Sequence, residues 1–107
     1  MPNIISLLYT ASLLALAAQA PAAELRPRSG ALIYNMQCAE CHLRGVNGAP
    51  KLSDRPAWAA RLAQGPTRLI EHAIHGYKIM PARGSCSTCT DAEITAAVQY
   101  MITRLND

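Results

Sequence analysis

The pattern of apolar and polar positions predicts one helix clearly, in the last part of the chain. Thr90 and Glu93 have the spacing of a capping box, in which two side chains satisfy backbone N–H groups at the start of a helix. Apolar residues then recur every three or four positions, which is the spacing of one helix face. This segment is therefore expected to pack on the rest of the domain through Ile94, Ala97, Val98, Met101, Ile102 and Leu105.

Three shorter helices are predicted before it. Each begins at a residue that can cap a helix, and glycines or irregular stretches separate them. No segment alternates apolar and polar residues as a strand does, and no internal repeat is present. The sequence therefore predicts an all-α domain of about four helices, the first three covering Ser29 to about Cys38, Ser53 or Asp54 to Gly65 with Pro56 in the first turn, and Thr67 to Gly76.

The start of the chain has a different character. No charged side chain precedes Glu24, and the apolar run from Ile4 to Ala18 leads into small residues at signal-peptidase spacing. Residues 1–23 are therefore predicted to be a signal peptide, 24–28 a linker and 29–107 the folded domain. The alternative is an uncleaved anchor, because the leader lacks Lys and Arg and about 20 apolar residues can span a bilayer.

Length and composition limit what this domain can be. The 107 residues carry a formal net charge of +3, which allows one small domain and excludes a multidomain enzyme. Without the leader, 84 residues remain, with four Tyr, one Trp and no Phe in the whole chain. Because a core of this size is marginal, we expect a disulfide, a metal or a cofactor to complete it.

The strongest chemical motif is C-x-x-C-H, formed by Cys38, Cys41 and His42. This is the attachment sequence of a c-type haem. Two thiols about one helical turn apart can reach the two vinyl groups of one porphyrin, and the adjacent imidazole is the proximal iron ligand. The alternative is a chance match in a zinc or thiol-redox protein. The predicted export favours haem, because haem c is attached to exported chains.

A second iron ligand is sought among the methionines and histidines of the domain. Met80 lies in a non-helical stretch before a proline, where it is free to turn inward. Met36 is too close to the haem motif to cross the ring, and Met101 belongs to the apolar face of the last helix. His72 and His75 offer a bis-His alternative, although a histidine on a short helix more commonly lies on the surface or forms hydrogen bonds in the core.

A second cysteine pair, Cys86 and Cys89, repeats the C-x-x-C spacing without a following histidine. A second haem is therefore not expected. A zinc site that also used Cys38 and Cys41 would span 44 intervening residues, beyond the usual spacing of about 15–20. A thioredoxin-like motif would need a βαβ context that the sequence lacks.

Together these segments resemble class I cytochromes c. In detail they are similar to the cytochrome c5 subgroup, from CAECH and RGVNGAPKL through AWAARLAQG, EHAIHGY and MPARGSC to DAEITAAVQYM, which covers about Gly30 to Arg104. The resemblance implies a small class I cytochrome c fold on one covalently bound haem c. It also implies that His42 and Met80 are the axial ligands and that no catalytic group is present.

The resemblance assigns further roles. It implies that Gly30, Tyr34 and Tyr100 form the contact at which the first and last helices cross, since glycine permits close approach and the rings fill the crossing. It also points to a disulfide between Cys86 and Cys89, which an oxidising compartment favours. The link between Gly76 and Met80 is shorter than the family pattern.

Three more residues receive roles near the haem from the same resemblance. Pro50 matches the proline whose carbonyl oxygen accepts the Nδ1 proton of the haem histidine. Trp58 is expected to donate its indole N–H to a haem propionate, and Arg61 to balance the propionate charge. The alternative for Trp58 and Arg61 is ordinary packing or a solvated surface.

The predicted function is single-electron transfer in the periplasm, without enzymatic activity, because iron ligated on both faces has no open position for oxygen or peroxide. The main alternative is a haem-bearing electron-transfer subunit of a larger oxidoreductase complex. A gas-binding haem module, in which Met80 is not a ligand, and a thiol oxidoreductase are further alternatives.

The expected partners are redox proteins, such as a reductase and a terminal oxidase or another acceptor. Lys51, Lys78 and Arg83 flank the segments expected near the haem edge and could steer the protein to an acidic docking patch. The alternative is a solvated charged face. No nucleic-acid partner is expected from so small a positive excess. Membrane contact is expected only through an uncleaved leader or a membrane-bound partner.

Overall fold

A computed structural model describes residues 26–107. The predicted leader, 1–23, lies outside the described residues. Four helices are present, and within the described range no β-strand occurs, so the all-α prediction is confirmed. None of the helices in residues 26–107 is long and apolar enough to cross a membrane. The helices are α1 (30–42), α2 (Arg55–Ala63), α3 (Pro66–His75) and α4 (Asp91–Asn106), with short 3-10 turns at Val46–Gly48 and Ala82–Ser85.

Helix α1 is continuous but changes its winding in the middle. It consists of α-helical Gly30–Ile33, a π-helical turn over Tyr34–Cys38 and α-helical Ala39–His42. Ser29 caps the start as predicted, since its side chain accepts the Leu32 N–H at 3.1 Å. The helix extends past the predicted end at Cys38 because no breaker follows until Gly45 adopts a left-handed φ of 76°.

The sequence left the capping residue of α2 open and predicted that of α3 incorrectly. Asp54, and not Ser53, caps α2 by accepting the Ala57 N–H at 3.3 Å. Thr67 was predicted to cap α3, and this is wrong, because Gly65 precedes the helix and Pro66 occupies its first turn. The fixed φ and missing N–H of proline suit that position without a side-chain cap.

Helix α4 matches its sequence pattern in detail. The Thr90 hydroxyl accepts the Glu93 N–H at 3.2 Å, and the Glu93 carboxylate accepts the Thr90 N–H at 3.0 Å. The capping box is therefore complete. The side chains that α4 buries are those of Glu93 and of four of the predicted apolar positions, Ile94, Ala97, Met101 and Leu105.

The first and last helices cross in close contact, as the resemblance implied. A Cβ placed on Gly30 would lie only 2.1 Å from the carbonyl oxygen of Ala96. The rings of Tyr34 and Tyr100 lie 5.3 Å apart beside this crossing, and Ile33 is fully buried in it. Glycine is therefore required at residue 30 because the backbones of α1 and α4 nearly touch.

Arg28 ties the start of the domain to α4. Its guanidinium Nε and its backbone N–H donate to the Glu93 carboxylate at 2.6 and 2.8 Å, and the guanidinium also donates to the Thr88 carbonyl oxygen. These bonds hold the pKa of the buried Glu93 carboxyl well below its usual range. Arg28 was assigned to the linker 24–28, but it makes specific contacts with the domain. The absence of helical periodicity there indicated irregular backbone, which can still pack.

Candidate functional site

A cavity of about 610 Å³ lies between the four helices and the segment around Met80. This volume is in the range of sites for small molecules and cofactors. Apolar side chains supply much of its wall, including Leu69, Ala73, Ile94, Val98 and Met101. All the residues predicted to bind the cofactor also line it, namely Cys38, Cys41, His42, Pro50, Trp58, Arg61 and Met80.

His42 lies at the C-terminal end of α1 with its ring held in a defined orientation. The imidazole is buried, and its Nδ1 lies 2.9 Å from the carbonyl oxygen of Pro50. Because a carbonyl oxygen can only accept, Nδ1 carries the proton and Nε2 keeps its lone pair for a metal. The Leu52 N–H also donates to the His42 carbonyl oxygen at 2.8 Å, which holds the following loop against the end of the helix.

Cys38 and Cys41 are free, half-buried thiols on the same helix, and both line the cavity. Burial raises the pKa of the Cys38 thiol to about 11, with a smaller contribution from the neighbouring Cys41. The Cys38 thiol is therefore protonated at neutral pH when no group is attached to it. Two thiols and an imidazole that open on one apolar cavity form the donor set that haem c requires.

Met80 closes a tight turn on another wall of the cavity. The Tyr77 N–H donates to the Met80 carbonyl oxygen and the Met80 N–H donates to the Tyr77 carbonyl oxygen, each at 2.9 Å. Lys78, at the tip of this turn, has a left-handed φ of 53°. Met80 also packs against the buried cluster that contains Ala73 and Ile94. The turn therefore places a thioether in a fixed position at the cavity wall.

The other candidate ligands have different surroundings. Met101 is buried in a cluster with Tyr34, Trp58 and Leu105, in agreement with its assignment to the core, although it also reaches the cavity wall. Met36 is 53 % exposed. His72 lines the cavity and stacks on Tyr77, whereas the side chain of His75 is exposed.

The indole N–H of Trp58 forms a hydrogen bond within the protein. Its indole N–H donates to the carbonyl oxygen of Lys51 at 2.9 Å, and its ring lies 5.7 Å from that of His42. The predicted bond from this N–H to a propionate is therefore replaced by a bond to the backbone, which anchors the loop after α1. Arg61 lies over the Trp58 ring at 6.0 Å and donates to the Ala57 carbonyl oxygen.

The second cysteine pair forms a disulfide between Cys86 and Cys89, and both residues are buried. Arg83 donates to the Cys89 carbonyl oxygen at 3.1 Å and forms an ion pair with Asp91. Arg83 was predicted to be a docking cation, but its charge is neutralised in this network. The Gln37 side chain donates to the carbonyl oxygen of residue 84, which joins the same loop to α1.

Two contacts beside the site were not predicted from the sequence. The stack of Tyr77 on His72 joins the Met80 turn to α3, and the bond from Gln37 joins the disulfide loop to α1. The left-handed Gly76, with φ 87°, marks where the chain reverses. It could have indicated that residues after it fold back on α3, but it does not identify the contacting side chains.

Comparison with known proteins identifies the family. A family model described as cytochrome C oxidase, cbb3-type, subunit III, matches residues 25–101. Cytochrome c-555 of Chlorobaculum tepidum is 45 % identical over 78 residues, which cover 69 % of this chain and 72 % of the relative. Cytochrome c5 of Ectopseudomonas mendocina is 40 % identical over 76 residues, covering 69 % and 87 % of the two chains.

A solved structure gives the same result. The chain superimposes with a TM-score of 0.66 and 41 % identity on a chain from the crystal structure of an electron transfer complex of nitrite reductase with cytochrome c. The match covers 71 % of this chain and 93 % of that one. Together with the single C-x-x-C-H motif and the cavity that it faces, these similarities show that the chain belongs to the class I c-type cytochromes of the cytochrome c5 group and carries one covalently bound haem c.

Proposed function

We propose that this cytochrome is a carrier that passes single electrons between redox proteins, with His42 and Met80 as the two axial ligands of its iron. The observation that carries this proposal is the shared cavity, which is lined by the attachment cysteines, by His42 and by Met80. The bound haem supplies one-electron exchange between Fe(II) and Fe(III).

The chain's own residues hold and shield this group. Cys38 and Cys41 supply the thioether links, and the bond from His42 Nδ1 to the Pro50 carbonyl fixes the ring and raises the basicity of its other nitrogen. The Met80 turn offers a thioether, which favours a higher reduction potential than a second imidazole would. Iron held by both His42 and Met80 would have no open position for a substrate, so the proposed role is that of a carrier and not an enzyme.

The apolar wall limits the access of water. Ala73 and Ile94 are buried beside the cavity, and Trp58 covers the side of His42. An apolar surrounding of low dielectric reduces the reorganisation that accompanies a change of charge. The site is therefore suited to exchange electrons without binding or releasing a ligand.

The proposed partners are periplasmic redox proteins that present an acidic docking patch. Lys51 and Lys78 are exposed. Lys78 lines the cavity and lies 5.3 Å over the Tyr77 ring, and Lys51 follows Pro50, which also lines the cavity. Because Arg83 is neutralised, these two lysines are the cations we assign to docking. The solved relative in complex with nitrite reductase supports a redox protein as the partner class. A reductase as donor and a terminal oxidase as acceptor are specific cases of this proposal.

A second candidate is an electron-transfer subunit within a larger oxidoreductase. The description of the matching family model, which names an oxidase subunit, favours it. Isolation of the native protein under mild conditions separates the two candidates. A free carrier is recovered as a single chain, whereas a subunit is recovered with a stoichiometric partner.

Ligation is tested by comparing two methionine variants of the holoprotein. We expect Met80→Ala to keep the haem covalently attached but to lose the far-red absorption band of Met-ligated ferric haem, to lower the potential and to bind imidazole readily. Met101→Ala should retain the band and lose about 2–5 kcal/mol of stability, as a core truncation does. Loss of the band in the Met101 variant alone would overturn the assignment, and a pyridine haemochrome spectrum verifies that each variant carries haem c.

A further inference from the structure

We infer that Tyr77, through its stack on His72, is a positioning residue that holds the Met80 turn against α3. This inference rests on the proposed ligand role of Met80. It assigns a function to a pair of side chains that the ligand set itself leaves unexplained.

The contact between the two rings is close and nearly parallel. The centroids of Tyr77 and His72 lie 3.9 Å apart with an interplanar angle of 10°. Both residues line the cavity. Aromatic side chains that pack on one another contribute more than their buried area alone. The contact therefore favours one particular position of the Tyr77 ring on the helix.

The backbone of Tyr77 is linked directly to that of Met80. The two residues are joined by a pair of backbone hydrogen bonds, each 2.9 Å long, so that they form the two ends of one closed turn. Displacement of Tyr77 from α3 would break these bonds or carry Met80 away with it. Stacking and the placement of the thioether are therefore mechanically coupled.

Apart from the packing of Met80 against the core cluster, the turn has few attachments of its own. Its tip consists of Lys78 and Ile79, of which Ile79 is 75 % exposed. Lys78 adopts a left-handed φ that a residue with a side chain disfavours. The tip thus adds strain and little burial, and the base of the turn must be held from elsewhere.

Helix α3 provides a rigid support for this contact. Ala73, next to His72, is buried in the core cluster with Ile94 and Ala97. Gly76, which joins α3 to the turn, has a left-handed φ of 87°, and a Cβ there would lie 3.0 Å from the Ala82 nitrogen. The chain is thus forced back towards the end of α3, where His72 meets the ring of Tyr77.

The test uses the ferric holoprotein and measures imidazole affinity together with the far-red band. Replacement of Tyr77 by Leu or of His72 by Leu removes the stack. We expect each change to raise imidazole affinity by about 2- to 12-fold, which is the contribution of an aromatic pair, about 0.5–1.5 kcal/mol, converted at about 1.4 kcal/mol per tenfold. Tyr77→Phe keeps the ring and should behave as the wild type.

The matched control is His75→Leu, since His75 lies three residues beyond His72 on the same helix and is exposed. It should leave imidazole affinity unchanged. Melting temperatures are recorded for all variants. If the contact is purely structural, His72→Leu will lower the melting temperature but will change imidazole affinity no more than His75→Leu does. That result would overturn the inference. An equal effect of Tyr77→Phe and Tyr77→Leu would also overturn it.

Failure of the inference is distinguishable from failure of the ligand assignment. Met80→Ala is measured in the same series. If it loses the far-red band while the Tyr77 and His72 variants match the wild type, the ligand assignment stands and the positioning role is refuted. If the band persists in Met80→Ala, both proposals fall. Should Tyr77→Leu fail to give a folded holoprotein, His72→Leu decides the result, since it leaves the turn residues intact.

Discussion

Replacement of Gly30 by Ala tests how closely the two terminal helices must approach. A Cβ at this position would lie 2.1 Å from the carbonyl oxygen of Ala96, 2.5 Å from its carbonyl carbon and 3.1 Å from the nitrogen of Ala97. These are backbone atoms of α4, so no side chain can rotate to relieve the contact. The helices must separate instead.

The size of the separation follows from the shortest contact. Restoring ordinary van der Waals distance requires α1 and α4 to move apart by about 1.3 Å, and gaps of this size forfeit much of the dispersion energy between packed atoms. The affected contacts include those of Ile33 and Ala97, which are among the most buried side chains. Overpacking costs about 3 kcal/mol at its upper range, while the better helix propensity of Ala returns at most about 1 kcal/mol. We expect a net loss of about 2 kcal/mol.

Thermal unfolding of the holoprotein measures this loss. For a domain of this size about 2 kcal/mol corresponds to a fall of about 8–16 °C in the melting temperature. Ala92→Gly is a suitable control, because Ala92 is exposed in the first turn of α4 and reports helix propensity without packing. If Gly30→Ala melts at or above the wild-type temperature, propensity outweighs the steric argument and the close crossing of the helices is refuted.

Three further predictions concern charge and the disulfide. The folded-state pKa of Glu93 is depressed from its ordinary value of 4.5, so its contribution to stability is complete above that pH and is lost as the pH falls below it. Melting curves between pH 7 and pH 3 should therefore show a weaker acid dependence in Glu93→Gln. An unchanged dependence would show that Glu93 is not the source of the acid sensitivity. Replacement of both Cys86 and Cys89 by Ser should leave haem attachment intact and make imidazole binding easier. It should change the melting temperature only modestly, because the closed ring is far smaller than the 15-residue loop whose closure contributes about 3 kcal/mol. Two free thiols in alkylated periplasmic protein would instead refute the disulfide. Electron exchange with an acidic partner should slow in stopped-flow measurements as salt rises, since the Debye length falls from about 10 Å at 0.1 M to about 3 Å at 1 M, and a flat rate would exclude steering by Lys51 and Lys78.

The parts of the fold that were predicted from the sequence depend on neighbours along the chain. The capping box of Thr90 and Glu93 and the apolar face of α4 involve residues three or four positions apart, so both follow from local spacing. The error at Thr67 has the same origin. A threonine at a helix start is a good local signal, but Pro66 satisfied the same requirement one residue earlier.

Contacts between distant residues could not be predicted in this way. Arg28 and Glu93 are 65 positions apart, and neither residue type identifies the other in one sequence. The resemblance implied that the indole of Trp58 meets a propionate. In the structure its partner is the Lys51 carbonyl, a backbone group that every residue carries, so no residue type could have indicated it. The sequence and its resemblance therefore located the cavity-lining residues and the bond from His42 to Pro50, but not the partners of Arg28 and Trp58.

The two residues proposed as axial ligands are held by contacts of unequal strength, and this inequality determines how the site should respond to damage. His42 lies next to the attachment residue Cys41 on α1 and donates to Pro50, so covalent links and a hydrogen bond restrain it independently. Met80 is held only by non-covalent contacts, namely its packing on the core cluster and a turn whose tip is exposed and whose base is stacked on α3. Perturbations should therefore release the thioether well before they release the haem. The Met80 side of the site is the one at which sequence changes can adjust the reduction potential without loss of the cofactor.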